Sequence, residues 1–347
     1  MSVPLGLHGE ARGPDKNMIA KSVFIPKCNE FIAHWSQCAE DLAPKVLLVR
    51  DPEKDITVSL AQFTARRDLL QSRQNTVQDC LNQQLMARSN INSRKVKLLE
   101  LFNEFNGVLD AFYLNTDFYA VRPLAPSLSD GQEAFSRPLV AAMLLWEDMD
   151  GGPAPAGLTL PLTLTDGTTA GSFASLISAL QFAFANEQRK EKDIGRARWR
   201  RDQVEIEAYE VMKLYRETVP VKVKQFPELV ETMPRLSPLP GHTPEAVNSS
   251  AIFVATNSSK VVYDASPDAM LASYQLRGNV GDDYSDEDAV VIATNAPDAP
   301  REFVTPFGLN QPGAKVALKV YVILSTDNEA GSAAMFVERP VSLGLAA

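Results

Sequence analysis

Residues that carry most protein chemistry are scarce in this chain: its 347 residues include three cysteines and three histidines. Cys28, Cys38 and Cys80 are odd in number and all lie early in the sequence, so they make no disulfide framework and suit a reducing compartment. His8, His34 and His242 are scattered along the chain, which argues against a histidine-based nucleophile system. His34 and Cys38 stand four residues apart, but two ligands close no metal site, and a packed helix explains the pair. The glycine-rich fingerprints of dinucleotide and phosphate loops are missing, as are HExxH, CxxC and GxSxG. These absences point to a protein that is not an enzyme, with no catalytic residue, cofactor, metal or small-molecule substrate. Apolar runs are too short to span a bilayer, and the opening residues show no basic n-region before an apolar core. The expected location is the cytoplasm.

What is present is a globular composition, 45% hydrophobic, in a chain long enough for two domains. Lysine and arginine number 34 against 43 acids, a formal net charge of −9, so a nucleic-acid role would need a local basic patch.

Residues 1–28 carry Pro4, Gly6, Gly9, Gly13, Pro14 and Pro26 without a period. They read as an N-terminal arm, either frayed or ordered against a neighbouring subunit. Asn29 caps a short helix with Phe31, Trp35, Cys38 and Leu42 on one face. From Ser59 to Tyr113 a frame alternating steps of three and four holds Leu60, Phe63, Leu70, Val77, Leu81, Ile91, Leu98, Phe102, Phe105, Leu109 and Phe112. This predicts one long helix, with Ser89–Ser93 as a candidate kink. A second frame, Ser172 to Val219, holds Phe173, Ile177, Leu180 and Phe184 at one end and Ala208, Met212, Tyr215 and Val219 at the other. Both helices have apolar ends and a polar waist, which predicts an antiparallel hairpin, coiled-coil-like, within a helical region 29–219. Residues 130–150 add a third helix, with Phe135, Leu139, Met143 and Trp146 inward. Leu158–Thr165 alternates strictly and reads as a short β segment. Because Pro161 confines it to an edge or an extended wrap, it pairs either locally or across a subunit boundary.

Residues 220–244 are proline-rich and read as a semi-rigid linker. From 245 to 347 the pattern changes to short alternating runs at 251–256, 260–265, 271–278, 288–294, 301–306, 315–324 and 333–339, which predicts an antiparallel β-sandwich. Here Gly308-Leu309-Asn310-Gln311-Pro312-Gly313 before the strand Lys315-Val316-Ala317-Leu318-Lys319-Val320-Tyr321-Val322 resembles the loop and sixth strand of a fibronectin type III module. Asn328–Ala333 resembles that family's last hairpin. The resemblance implies a structural or adhesive module of the immunoglobulin/fibronectin-like kind, and a fold of this sort assigns no chemistry by itself.

Two charged features remain. The stretch 187–202, EQRKEKDIGRARWRRD, lies on the second long helix. At 100° per residue Arg189, Lys192, Arg196 and Arg200 form an outward basic stripe flanked by Trp199, whereas Arg198 and Arg201 face the partner helix. Gly195 is a second candidate kink. Asp282, Asp283, Asp286, Glu287 and Asp288 gather five carboxylates in one sandwich loop, and a solvated loop, a weak calcium site or a charged partner contact would each explain them. The expected function is non-enzymatic self-assembly into a homo-oligomer, whether ring, tube or filament, in which the acidic loop of one copy meets the basic stripe of the next. The alternative is an adaptor that binds nucleic acid or another protein through the stripe 189–200.

Overall fold

Ser59 and Gln62 start the longest helix with a reciprocal cap. The Ser59 amide donates to Gln62 Oε1 at 2.8 Å, and the Gln62 amide donates to Ser59 Oγ at 3.3 Å. In the computed structural model, which describes residues 19–51, 56–254 and 257–340, that helix is α2, Leu60–Phe112. It follows α1, Phe24–Asp41, and a small antiparallel hairpin of β1, Val49–Asp51, and β2, Ile56–Val58. Then come α3, Asp117–Ala120; α4, Gln132–Asp150; α5, Ala170–Lys222; and α6, Pro227–Glu231. The sandwich strands are β3, Ser249–Val254; β4, Ser258–Tyr263; β5, Leu271–Val280; β6, Val290–Asn295; β7, Glu302–Thr305; β8, Lys315–Leu324; β9, Glu329–Gly331; and β10, Met335–Glu338. The chain divides into two units, Gln83–Gly195 and a second made of Met1–Asn82 with Arg196–Ala347.

In the unit Gln83–Gly195, Lys190 reaches Gln83 while Glu187 reaches Arg88, so α2 and α5 run antiparallel. Most of both expected frames in this unit is buried: Leu98, Phe102, Phe105 and Leu109 meet Phe173, Ile177 and Leu180, whereas Phe112 is exposed. Phe135, Leu139 and Trp146 of α4 complete this core, with Trp146 stacked on Phe105 at 5.2 Å. The helix α2 passes through Ser89–Ser93, where Ser93 Oγ bonds back to the Ser89 carbonyl. α5 likewise passes through Gly195.

Leu158–Thr165 is not a strand, contrary to the reading of its alternation. Its leucines point as that alternation requires, with Leu162 and Leu164 in the core. Its backbone donors are taken elsewhere: Leu162 N–H by Asp150 Oδ1 at 2.6 Å, and Thr165 N–H by Glu104 Oε1 at 2.6 Å. Pro161 has no N–H to give a ladder, and within the chain the segment wraps the helices instead of pairing locally.

In the other unit, α1 begins at Phe24, five residues earlier than the sequence suggests. Pro26 falls in the first turn, where its missing N–H costs nothing. Phe24 and Cys28 are buried with Phe31 and Trp35 against Phe63, Leu70, Ala208, Met212, Tyr215 and Val219. The expected arm thus shrinks, and its residues 1–18 lie outside the described ones. The proline-rich stretch is folded in part as well: α5 carries Pro220 in its last turn, and Leu229 of α6 joins the same core.

The seven expected strand runs all form, and β9 and the β1–β2 hairpin are additions. One sheet has the order β3-β4-β7; the other has the order β10-β8-β5-β6, with β9 also on β8. Tyr263, Tyr274, Leu276, Phe303, Leu318, Val320 and Val322 fill the space between them. In the loop before β8, Gly308 has φ +66°, and a Cβ there would meet Val316 Cγ1 at 2.4 Å. Only glycine fits that turn.

Candidate functional site

The basic stripe and the acidic loop were the two candidate interfaces, and their fates differ. On α5, Arg189 and Lys192 are exposed in the unit Gln83–Gly195. Arg196, Trp199 and Arg200 are exposed in the other unit, Trp199 at 64%. The wheel thus assigned the outward face correctly. Ile206, one heptad beyond Trp199, is exposed at 44%.

The acidic loop splits. Asp282 and Asp283 face solvent. Asp286 accepts from Tyr321 Oη at 2.5 Å, and Lys319 lies 4.0 Å away. Asp288 is only 1% exposed, so it is an internal residue and not a surface contact. Asn279 aims it: its carboxamide donates to the carbonyls of Val280 and Asp283 and accepts from Ser285 N–H, which closes the loop into one tight turn. Arg198 then grips the Asp288 carboxylate with two parallel bonds, Nε to Oδ1 at 3.1 Å and Nη2 to Oδ2 at 2.5 Å. Arg201, itself 1% exposed, adds Nη1 to Oδ1 at 3.2 Å and also reaches the Glu287 carbonyl at 2.9 Å. The side-chain amides of Gln74 and Gln78 both donate to the Asp288 carbonyl, at 3.2 and 2.7 Å. Lys21 joins Asp202 at 2.9 Å to Glu287 at 3.0 Å.

Arg198 and Arg201 therefore serve a sandwich loop, which corrects the reading that they face the partner helix. The hairpin seam supplies Arg198 and Arg201 opposite glutamines, and the matching acids come from some 90 residues later in the chain. One acid is left over. Glu205, 3% exposed, sits among these charges, and burial pushes its carboxyl up to about 7, with Lys21 and Arg201 pulling the other way. A second anchor lies alongside. Arg277 is 1% exposed, forks onto Glu329, reaches Ser22 Oγ at 3.2 Å and lies 3.9 Å over the Tyr321 ring.

The buried group that most resembles catalytic machinery is in α1. His34 Nε2 donates to the Leu229 carbonyl at 2.7 Å, which leaves Nδ1 to accept from Tyr215 Oη at 2.7 Å, with Cys38 Sγ 3.6 Å away. Burial lowers the His34 pKa and raises that of the Cys38 thiol, so both are held neutral, the reverse of an activated thiolate–imidazolium pair. Cys38 has no exposed surface, so no substrate reaches it. This cluster ties α6 to α1 and α5. Among the described residues no group of three or more His, Cys, Asp or Glu side chains could hold a metal ion, and no helix is long and apolar enough to cross a membrane.

No family model and no curated protein matches this chain. Among solved structures, an Fn3-like protein from Clostridium thermocellum matches 28% of this chain and 96% of its own, at 20% identity and a TM-score of 0.22. The fn3 domain of human contactin 1 matches 32% of this chain and 89% of its own, at 15% identity and a TM-score of 0.25. The C-terminal domain is a fibronectin type III-like β-sandwich. The pectate lyase PelI from Erwinia chrysanthemi, solved with tetragalacturonic acid, matches 26% of this chain and only 28% of its own, at 12% identity and a TM-score of 0.23. Likenesses this distant bear on the fold alone.

Proposed function

We propose that this is a non-enzymatic structural protein that assembles with copies of itself, and that the outer face of α5 around Trp199 is one of its contact surfaces. The observation that carries this reading is a tryptophan at 64% exposure on a long helix, with Arg196 and Arg200 beside it and Ile206 one heptad on. Tryptophan and arginine dominate the energetics of protein contacts, because each joins a large apolar or planar surface to directed donors. The complementary surface on the next copy is Asp282 and Asp283, which face outward on the sandwich loop beside the exposed Asp286 and Glu287. A contact between two different patches is heterologous, so it closes into a ring or continues as a tube or filament according to its rotation. The setting that suits the chain is the cytoplasm, where Cys28, Cys38 and Cys80, none of them in a disulfide, stay reduced.

Light scattering after size exclusion tests the reading: an assembly at micromolar concentration that loosens in high salt is the expected result, and a monomer at every concentration rejects it. Arg196→Glu with Arg200→Glu should disperse the assembly, and Trp199→Ala should weaken it without unfolding the chain. The same arginines and tryptophan form the aromatic-and-cation pairing that single-stranded nucleic acid stacks upon. Filter retention of an oligonucleotide at low salt would favour that adaptor role instead.

A further inference from the structure

The unit Gln83–Gly195 carries a groove of about 710 Å³ between α4 and α5. Ser136, Val140 and Leu144 of α4 line it with Gln181 of α5, and Leu144 is 52% exposed. Lys95 lies over the rings of both Phe135 and Phe184, and the Trp146 ring is 5.9 Å from that of Phe173. α4 therefore runs antiparallel to α5, which sets Phe182 level with Ser136 and Arg137. At 100° per residue Phe182 points directly away from the inward face of Phe173, Ile177 and Leu180, and it is 70% exposed. Ser175, Ser178 and Ala185 beside it are exposed and small, so this ridge of α5 is low except at Phe182. The groove is also chemically unfinished. Ser136 is 8% exposed, yet its hydroxyl has no hydrogen-bond partner within the chain.

We infer that this face joins two copies of the chain about a two-fold axis, α5 beside α5 in parallel, with Phe182 of each copy seated in the groove of the other. A ridge with one aromatic knob, standing next to a groove of matching level, is complementary to itself, which is what an isologous contact requires. An axis along the helices keeps every residue at the level of its twin, so Phe182 arrives at Ser136 and Val140 of the second copy. The same alignment brings charges of opposite sign together. Arg189, two turns beyond Phe182, comes to the end of the groove where Glu133 stands, and both side chains are exposed. An incoming ridge that carries hydroxyls, as this one does at Ser175 and Ser178, also offers Ser136 the partner it lacks. The contact is made by residues other than those around Trp199, and it stands whether or not that contact exists.

The test uses the full chain carrying Arg196→Glu and Arg200→Glu, which removes the contact around Trp199 and leaves this one. Light scattering after size exclusion should then find a discrete dimer at micromolar concentration. Phe182→Asp in that chain should raise the dissociation constant by at least about thirtyfold. Because Phe182 is exposed, the helix content and Tm of the monomer should stay as they were. Glu133→Arg alone and Arg189→Glu alone should each weaken the dimer severalfold, and the two together should restore it. A monomer at every concentration, a dimer indifferent to Phe182→Asp, or a charge exchange that restores nothing overturns the inference.

Discussion

Two polar stretches of the long helices, alike in composition, are answered in opposite ways. In the unit Gln83–Gly195, Glu187 takes bonds from Gln84 and Arg88 of the facing helix, and the Arg88 side chain stays half exposed. In the other unit, Arg198 and Arg201 leave the facing helix to its glutamines and bind Glu287 and Asp288, with Arg201 and Asp288 both at 1% exposure. The first arrangement is a pair of helices whose polar rim remains wet. The second takes charges out of water, and such a cluster holds only if every member keeps its partners. The difference teaches that a polar seam position in a helix pair states a need for a partner without saying where the partner is.

The largest break in that contrast should come from Asp288→Ala, which leaves two arginines without their shared carboxylate. We expect a loss of about 3–5 kcal/mol in urea or thermal unfolding. Next is Glu205→Gln. The wild-type carboxyl is raised from 4.5 to about 7, so stability present below pH 4.5 is lost as pH rises through 7. The substitution should therefore stabilise the fold at pH 8, by on the order of 3 kcal/mol at most, and the gain should vanish by about pH 4.5. With Glu205 removed, the neutral His34 should show itself: its lowered pKa gives stability held above the ordinary histidine range and lost on acidification below it. A pH series of unfolding midpoints in the Glu205→Gln chain checks both signs. The smallest effect should be Arg88→Ala, within about 1 kcal/mol and smaller still in high salt, because its ion pair is exposed. If Arg88→Ala cost as much as Asp288→Ala, the distinction between the two stretches would collapse.

Much of the architecture was legible because periodicity reports burial directly. The steps of three and four named the buried faces of α2 and α5, and the alternation after residue 245 located the expected strands to within a few residues. Trp199 and its neighbours came out on the exposed face for the same reason. Asp288 did not, because a run of acids looks solvated and its partners are about 90 residues away. A signal was nonetheless present: Arg198 and Arg201 stand at inward positions of the α5 frame, where a buried charge needs a partner. Pro26 concealed the true start of α1, since a proline in a first turn and a proline in an arm are the same letter. Leu158–Thr165 was misread because alternation fixes which way side chains point and leaves open what the backbone bonds to.

That segment has one more consequence. A short leucine-alternating stretch with little charge is the kind of sequence that recruits identical copies into stacked cross-β aggregates when its amides are idle. Here Asp150 and Glu104 occupy the amides of Leu162 and Thr165, Thr168 occupies that of Leu164, and Pro161 supplies none. The two carboxylates act as guards as well as clasps, so the resistance of the stored protein to aggregation should be set by this wrap.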